Sequence, residues 1–246
     1  MDRTAMNNSL SSWLRERNQI ENRTSSRFRM SQAGKCTRQM AFEALSWEPD
    51  ISLSDYTIRN FSAGDTWHDL AQEWLCDSFG AEIEVECELK LSSGEIVTGH
   101  ADALVVVGSH RVVWEIKSMA PYSWDRAVKG TKTSEPEGVR NDHWLQASLY
   151  AVALNANEIT MAYVNRATGE WATESMNVDG NGVDDWLLRT NYISGMIDAK
   201  MLPSRMIGGE VIQSPPPASS KDGPWQCRYC PYQPTCASQR SGLVEL

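Results

Sequence analysis

The sequence predicts an α/β protein with a mixed sheet, and three observations carry this prediction. Residues 82–91 alternate strictly between apolar and mostly acidic side chains, as half-buried strands do. Residues 95–117 form two apolar runs around Gly108-Ser109, which places Gly where a two-residue type II′ hairpin prefers it. Apolar stripes at helical spacing occur before and after these strands. We therefore expect a three-strand antiparallel meander flanked by helices.

The remaining elements follow from periodicity and from turn residues. Ahead of the meander we expect helices at 5–21 and 57–79, a short helical stretch from Cys36 to Leu45, and a loop at 47–55. After it we expect a polar connection at 118–141, a helix at 142–154 with Asp142 as its N-cap, strands at 159–164 and 170–176, a helix at 183–199, and an irregular stretch at 203–224. This order predicts three regions: a basic helical arm at 1–30, a folded core at 31–200 and a C-terminal segment at 201–246.

Composition narrows the class of protein. The chain has 246 residues, of which 41% are hydrophobic, and this is enough for one sizeable core. No apolar run approaches membrane-spanning length and the polar N-terminus lacks a signal-peptide core, so we expect a cytoplasmic protein without membrane contact. A net charge of −9 argues against a protein that coats nucleic acid with its whole surface. Residues 1–40 nevertheless carry eight basic and three acidic side chains, which suits either local phosphate contact or a solvated helix face.

One group of charged residues on the hairpin indicates chemistry. In the expected register Asp102 lies opposite Glu115, and directly opposed residues point to the same face of an antiparallel pair. Lys117 shares that face because side chains alternate along a strand. Two carboxylates suit a hard cation such as Mg²⁺ or Mn²⁺. Together with a lysine that holds a water molecule, they are the groups that metal-assisted phosphodiester hydrolysis requires. The spacing alone also fits a surface salt-bridge cluster on a solvated sheet face.

Three other features have open interpretations at this level. His68 lies beside the apolar stripe of the helix predicted at 57–79, where a packed or solvated histidine is the usual finding. Glu86 or Glu88 could approach a metal, although a solvated strand face explains the acidic run more simply. The aromatic and basic residues of the connection at 118–141 suit base stacking and phosphate contact, or an ordinary mobile insertion.

The cysteines predict a metal site that joins the two ends of the chain. Cys227-x-x-Cys230 and Cys236 form a compact set of three soft ligands, and this spacing favours metal over disulfides in an intracellular protein. Cys36 is the natural fourth ligand, because Cys76 and Cys87 lie on apolar faces where core thiols are expected. Four thiolates fit either a [4Fe–4S] cluster or tetrahedral Zn²⁺, and either would clamp the termini together.

Taken in order, these features resemble the PD-(D/E)XK nucleases of the RecB type, in particular the iron–sulfur branch with the CRISPR-adaptation exonucleases, the AddB nuclease domain and related phage exonucleases. The residues that carry the resemblance are Cys36, His68, Asp102, Glu115-x-Lys117, Gln146-x-x-x-Tyr150 and Cys227-x-x-Cys230-x5-Cys236. The resemblance implies a restriction-endonuclease-like core with a cysteine-ligated clamp. The sequence departs from the family at Met30, where a proline is frequent.

The resemblance also implies a role for each residue. It makes Asp102, Glu115 and Lys117 the catalytic set, and His68, Asp102, Glu115 and the Ile116 carbonyl the ligands of Mg²⁺ or Mn²⁺. Gln146 and Tyr150 match a motif that helps to bind DNA and supports the lysine. Cys36, Cys227, Cys230 and Cys236 match the ligands of a [4Fe–4S] cluster, with Zn²⁺ as the lesser alternative.

The expected function is therefore a metal-dependent DNA nuclease, an exonuclease that acts on single strands or duplex ends and carries a mainly structural cluster. Its partners would be DNA and proteins of recombination, repair, CRISPR adaptation or phage replication. The alternatives are a noncatalytic DNA-binding or assembly subunit that retains the fold, a zinc-stapled nuclease, and a metal-binding protein without nuclease activity.

Overall fold

A computed structural model describes residues 3–20, 26–178, 180, 182–213, 223–239 and 244–245. The helices are α1 (Arg3–Ile20), α2 (Thr37–Ala44), α3 (Asp55–Phe79), α4 (Pro121–Trp124), α5 (Asn141–Ala153), α6 (Val183–Asp198), α7 (Trp225–Arg228) and α8 (Gln233–Ser238). The strands are β1 (Phe28–Arg29), β2 (Glu82–Lys90), β3 (Ile96–Val107), β4 (His110–Met119), β5 (Glu158–Asn165), β6 (Trp171–Asn177), β7 (Met201–Leu202), β8 (Met206–Ile207), β9 (Glu210–Val211) and β10 (Val244–Glu245). Among the described residues, none of the helices is both long and apolar enough to cross a membrane.

The main sheet is mixed, and its first half is the predicted meander. Strands β2, β3 and β4 pair antiparallel, β4 pairs parallel with β5, and β5 pairs antiparallel with β6. Val107 pairs with His110 across the turn, and Gly108 has a φ of 63°, so the predicted two-residue hairpin is confirmed. The short strand β1 pairs parallel with the start of β3, which β4 does not reach.

Apolar side chains cover both faces of the sheet. On one face, Tyr150 of α5 and Trp186 of α6 pack into the larger core with side chains such as Leu104 and Met161. On the other face, Ala71 and Leu75 of α3 pack against Ala103, Ile116 and Ala162. The sheet is therefore buried between helices, and polar side chains in its interior must be there for a chemical reason.

Helix α3 begins two residues before the predicted start because of its cap. The Ser54 side chain accepts a hydrogen bond from the Thr57 backbone N–H at 3.1 Å, which satisfies one of the free donors at the helix start. Gly80 ends the helix in the left-handed conformation, with a φ of 63°. This cap and this stop fix the 25-residue length of α3, which spans the sheet.

The predicted N-cap of α5 is wrong. Arg140 occupies the cap position and Asp142 lies in the first turn. The Asp142 carboxylate accepts two hydrogen bonds from the Arg140 guanidinium, at 2.9 and 2.6 Å, so it is held by a side chain and does not cap the backbone. An acid in the first turn still stabilises the positive end of the helix.

The first half of the connection at 118–141 forms regular structure. Helix α4 continues into a π-helical turn at Asp125–Lys129, and Trp124 is 2% exposed within the larger core. Tyr122 remains exposed on the outer side of the same segment. The first half of the connection is thus anchored by a buried indole, which a charge and aromatic count does not reveal.

Gly99 lies where the backbone of β3 meets a buried ring. A Cβ at this position would lie 2.5 Å from a ring carbon of Tyr150 and 3.2 Å from Met30, and both side chains are buried. We expect Gly99→Ala to destabilise the fold by ~1–3 kcal/mol, as overpacking of a dense core does. Urea unfolding measures this change.

Gly195→Ala is the matched control for that substitution. Gly195 lies inside α6, and no heavy atom lies within 4 Å of the position that its Cβ would take. The alanine should raise stability by ~0.4–1 kcal/mol, because it restricts the unfolded chain and favours the helix. Equal stability changes in the two variants would contradict the close packing of Tyr150 against Gly99.

Candidate active site

Asp102 lies at the point where β3 separates from β4. The last pair of their ladder is Ala103 with Trp114, and beyond it the Asp102 side chain takes the place of a strand partner. Its Oδ2 accepts a hydrogen bond from the Ile116 backbone N–H at 2.6 Å, and its Oδ1 lies 3.0 Å from Nε2 of His68 on α3. The Asp102 carboxylate thus links β3 to β4 and to helix α3.

Glu115 and Lys117 lie next to Asp102 on β4, as the alternation predicts. The Lys117 ammonium pairs with Oε1 of Glu115, whose side chain is completely buried. Oε2 of Glu115 is also buried and has no hydrogen-bond partner in the described part of the chain. A buried carboxylate oxygen without a partner is costly, so this atom is a candidate ligand for a cation.

The charges of the site act strongly on one another because water is largely excluded. Burial, and then the negative charge of Asp102, raises the pKa of Glu115 to about 7, although Lys117 opposes this. Burial alone would lower the pKa values of Lys117 and His68. The neighbouring carboxylates of Glu115 and Asp102 outweigh burial and raise both. The site therefore holds a surplus of negative charge that a divalent cation would balance.

Glu84 joins this group, and the sequence did not single it out. Among the described residues, one group of three histidine, cysteine or acidic side chains has ligand atoms that all lie within 4.8 Å of one another. This group consists of His68, Glu84 and Asp102. Gln72 donates to Glu84 Oε1 at 2.7 Å and to the Asp102 carbonyl at 2.8 Å. Glu84 has a φ of 48°, a left-handed conformation that is rare for glutamate. The alternating pattern of β2 gives no sign of this distortion.

The two residues of the predicted DNA-binding motif are in contact with each other. Gln146 donates to the Tyr150 hydroxyl at 3.1 Å, and Tyr150 is 2% exposed against Gly99. Burial raises the pKa of Tyr150 far above its ordinary value. The ring of Tyr150 is therefore a core element, and only Gln146 of the pair is partly accessible.

Tyr163 and His143 are polar neighbours of Lys117 that the sequence did not indicate. Tyr163 pairs with Lys117 across the β4–β5 ladder. Its hydroxyl accepts from the Arg140 backbone N–H at 3.1 Å and lies 2.8 Å from Nδ1 of His143. Burial lowers the pKa of His143 to about 4, so its imidazole is neutral at pH 7.

Two clefts meet beside the lysine. The larger, which we call the main cleft, has a volume of about 1050 Å³ and includes His68, Asp102 and Lys117 in its lining. The side cleft, of about 360 Å³, is lined by Arg126, Arg140 and His143 among others. Lys117, Ser118 and Arg166 line both. A substrate in the main cleft would therefore reach Asp102 and Lys117 together.

The four predicted cysteine ligands also come together. Cys36, Cys227, Cys230 and Cys236 line one small cavity, which we call the four-cysteine cavity. Burial, and then the nearby cysteines, raises the pKa of Cys227 to about 11, and burial raises that of Cys230 to about 12. Cys87 is buried in the larger core, while the Cys76 thiol donates to the Ala81 carbonyl, and neither lines the cavity.

Comparisons with known proteins identify the class of this fold and site. The family model of the PD-(D/E)XK nuclease superfamily matches residues 38–237, so the chain belongs to that superfamily. The crystal structure of SSO0001 is similar with a TM-score of 0.61 and 18% identity, over 94% of this chain and 96% of that one. A phage-related exonuclease from Haemophilus somnus 129PT is similar with a TM-score of 0.52 and 12% identity, over 70% of this chain and 95% of the other. No curated protein matches the sequence.

Proposed function

We propose that this chain is a divalent-metal-dependent DNA nuclease of the RecB type, an exonuclease that acts on single strands or duplex ends. One observation carries the proposal: His68, Asp102 and Lys117 line the main cleft, Glu84 lies beside His68 and Asp102, and Glu115 pairs with Lys117. Membership of the nuclease superfamily and the likeness in fold to a phage-related exonuclease support it.

The residues present fit Mg²⁺ or Mn²⁺. Carboxylate oxygens of Glu84, Asp102 and Glu115 and a nitrogen of His68 would hold the ion, with the Ile116 carbonyl as a further oxygen ligand. The partnerless Oε2 of Glu115 supports this assignment, because a ligand oxygen gains its partner only when the cation is bound. A bound divalent ion supplies Lewis-acid stabilisation of charge on the phosphoryl oxygens.

Lys117 would position the attacking water. Its ammonium is held by Glu115 on a rigid central strand, and Asp102 adds a second negative charge that keeps it protonated. A protonated lysine can orient a water by donating a hydrogen bond and can stabilise the negative charge of the transition state. Because Lys117 lines both clefts, its ammonium is within reach of substrate.

The test uses anaerobically purified protein on end-labelled single-stranded and duplex DNA with Mg²⁺ or Mn²⁺. We expect metal-dependent shortening from an end, abolished by EDTA and by Lys117→Ala. A melting curve of Lys117→Ala excludes loss of fold as the cause. DNA binding without cleavage, unchanged in Lys117→Ala, would instead identify a noncatalytic subunit.

The four-cysteine cavity would hold a [4Fe–4S] cluster. Four thiolates suit either a cluster or tetrahedral zinc, and the resemblance of the cysteine spacing to the iron–sulfur branch favours the cluster.

Charge at the cavity agrees with an anionic cluster. Arg205 is 2% exposed, and its Nε donates to the Cys236 sulfur at 3.1 Å. Its other hydrogen bonds go to backbone carbonyls, and no carboxylate of the described residues forms an ion pair with it. A buried guanidinium needs a negative partner, which thiolates around iron supply. Measurement of iron, sulfide and zinc in purified protein distinguishes the two metals.

A further inference from the structure

Exposed aromatic rings from two segments of the chain line the main cleft. Tyr56 and Phe61 come from the first turns of α3 and are 71% and 53% exposed. Trp225 and Tyr229 come from α7 and the turn after it, and are 41% and 79% exposed. Large apolar rings concentrated around one cleft mark a binding surface, because a soluble protein gains nothing by exposing them to water.

Cationic side chains accompany these rings. Arg228 lines the main cleft next to Tyr229, and no ion pair or hydrogen bond satisfies its guanidinium in the described part of the chain. Arg166 also lines it, and its guanidinium donates to the Asn60 carbonyl at 2.8 Å. The lining acids are Asp65 and the site residue Asp102. The cleft therefore combines free positive charge with stacking surfaces.

The cysteine-bearing segment holds one part of this lining in place. Arg228 and Tyr229 are the two residues between Cys227 and Cys230. The following Pro231 carbonyl accepts from the Ile51 N–H at 3.1 Å, and Thr235 donates to Asp50 at 2.9 and 2.7 Å. The loop that leads into α3 and the cysteine segment are thus bonded to each other, which fixes the two sets of rings relative to each other.

We infer that the main cleft is a single-strand track, in which unpaired bases stack on Tyr56, Phe61 and Tyr229 while Arg228 and Arg166 contact phosphates. This inference rests on the proposed nuclease function and specifies its substrate. Stacking requires unpaired bases, because in a duplex the base faces are occupied by neighbouring pairs. The aromatic lining therefore selects single strands, and the two residues inside the Cys-x-x-Cys turn are substrate contacts held by the cluster ligands.

Binding to fluorescent oligothymidylate and to a blunt duplex hairpin tests the inference without cleavage. Anisotropy is measured with holoprotein carrying Lys117→Ala, and again with wild-type protein in EDTA. Phe61→Ala and Tyr229→Ala should each weaken single-strand binding about 10-fold and duplex binding less than about 2-fold, as the loss of one base–aromatic stack predicts. Arg228→Gln should lower the slope of log K against log salt by about 0.7.

Two further variants are controls for the loss of stacking. Tyr229→Phe retains the stacking face and should bind single strands within about 2-fold of the parent. Tyr192→Ala removes a 40% exposed tyrosine of α6 outside both clefts and should change nothing. Iron content is compared across all variants, so that a loss of the cluster is not mistaken for a loss of stacking.

Two outcomes overturn the inference: unchanged single-strand affinity in Phe61→Ala and Tyr229→Ala, or an equal loss for single strands and duplex. Failure of the proposed function looks different. In that case the aromatic variants behave as expected, yet wild-type protein with Mg²⁺ or Mn²⁺ leaves the bound strand intact.

Discussion

Asp102→Asn should reduce metal-dependent DNA cleavage by about 1,000-fold, or ~4 kcal/mol in the barrier, while the protein remains folded. The asparagine oxygen can still accept from the Ile116 N–H, which preserves the link between β3 and β4. The NH₂ group of the asparagine, which then faces His68, cannot bind a cation, and the negative charge of the side chain is lost. Cleavage of end-labelled DNA, Mn²⁺ titration by calorimetry and a melting curve together measure the effect.

Substitutions of two glutamates on β2, Glu84 and Glu86, provide a weaker variant and a control for this prediction. Glu84→Gln should weaken Mn²⁺ binding about 10-fold and leave residual cleavage, since the other ligands remain. Glu86→Gln changes an acid two residues away whose side chain is 88% exposed, and should behave like wild type. Near-normal cleavage by Asp102→Asn, or equal effects of the Glu84 and Glu86 substitutions, would show that the metal binds elsewhere.

Cys227→Ser should remove most of the bound iron and lower the melting temperature by about 10–20 °C. The proposed cluster would join Cys36 to Cys236 and so close a loop of 200 positions. In the chain-entropy model such a closure is worth about 5 kcal/mol, and each kcal/mol corresponds to about 2–4 °C in a protein of this size. Iron analysis and calorimetry under argon measure both quantities.

Cys76→Ser is the matched control for the cluster. The Cys76 thiol donates to the Ala81 carbonyl at 3.3 Å, and a serine hydroxyl can make the same hydrogen bond. Iron content and melting temperature should therefore stay close to those of the wild type. If protein stripped of iron melted like the loaded protein and cleaved DNA normally, the cluster would have no clamping role.

The part of the site that lies within one hairpin could be predicted from the sequence. Strand residues alternate with a period of two, so a count outward from Gly108-Ser109 places Asp102, Glu115 and Lys117 together without knowledge of the rest. The order of the longer helices and strands was predictable for a similar reason, because each of them has its own periodicity, whereas short elements such as β8 and β9, within the stretch expected to be irregular, were not. The expected partnership of Cys36 with the C-terminal cysteines agrees with the cavity that they line.

The parts that depend on contact between distant elements could not be predicted. Glu84 enters the site through a left-handed backbone conformation for which glutamate has no propensity. His143 and Tyr163 meet only because α5 packs against β5, and Arg205 reaches Cys236 across 31 positions. Base stacking was one of two interpretations open for the connection at 118–141, and the rings that we propose for stacking lie at 56–61 and 229, in a cleft that exists only in the folded chain.

The position of the four cysteines along the chain has a consequence for biosynthesis. The cavity needs Cys36 and three thiols beyond residue 226, so it is complete only after the chain has been synthesised through Cys236, 200 positions after Cys36. Until then Arg205 lacks its sulfur partner Cys236. Products truncated before Cys227 would thus expose the surfaces that the cysteine segment covers, and proteases would distinguish them from products that contain this segment.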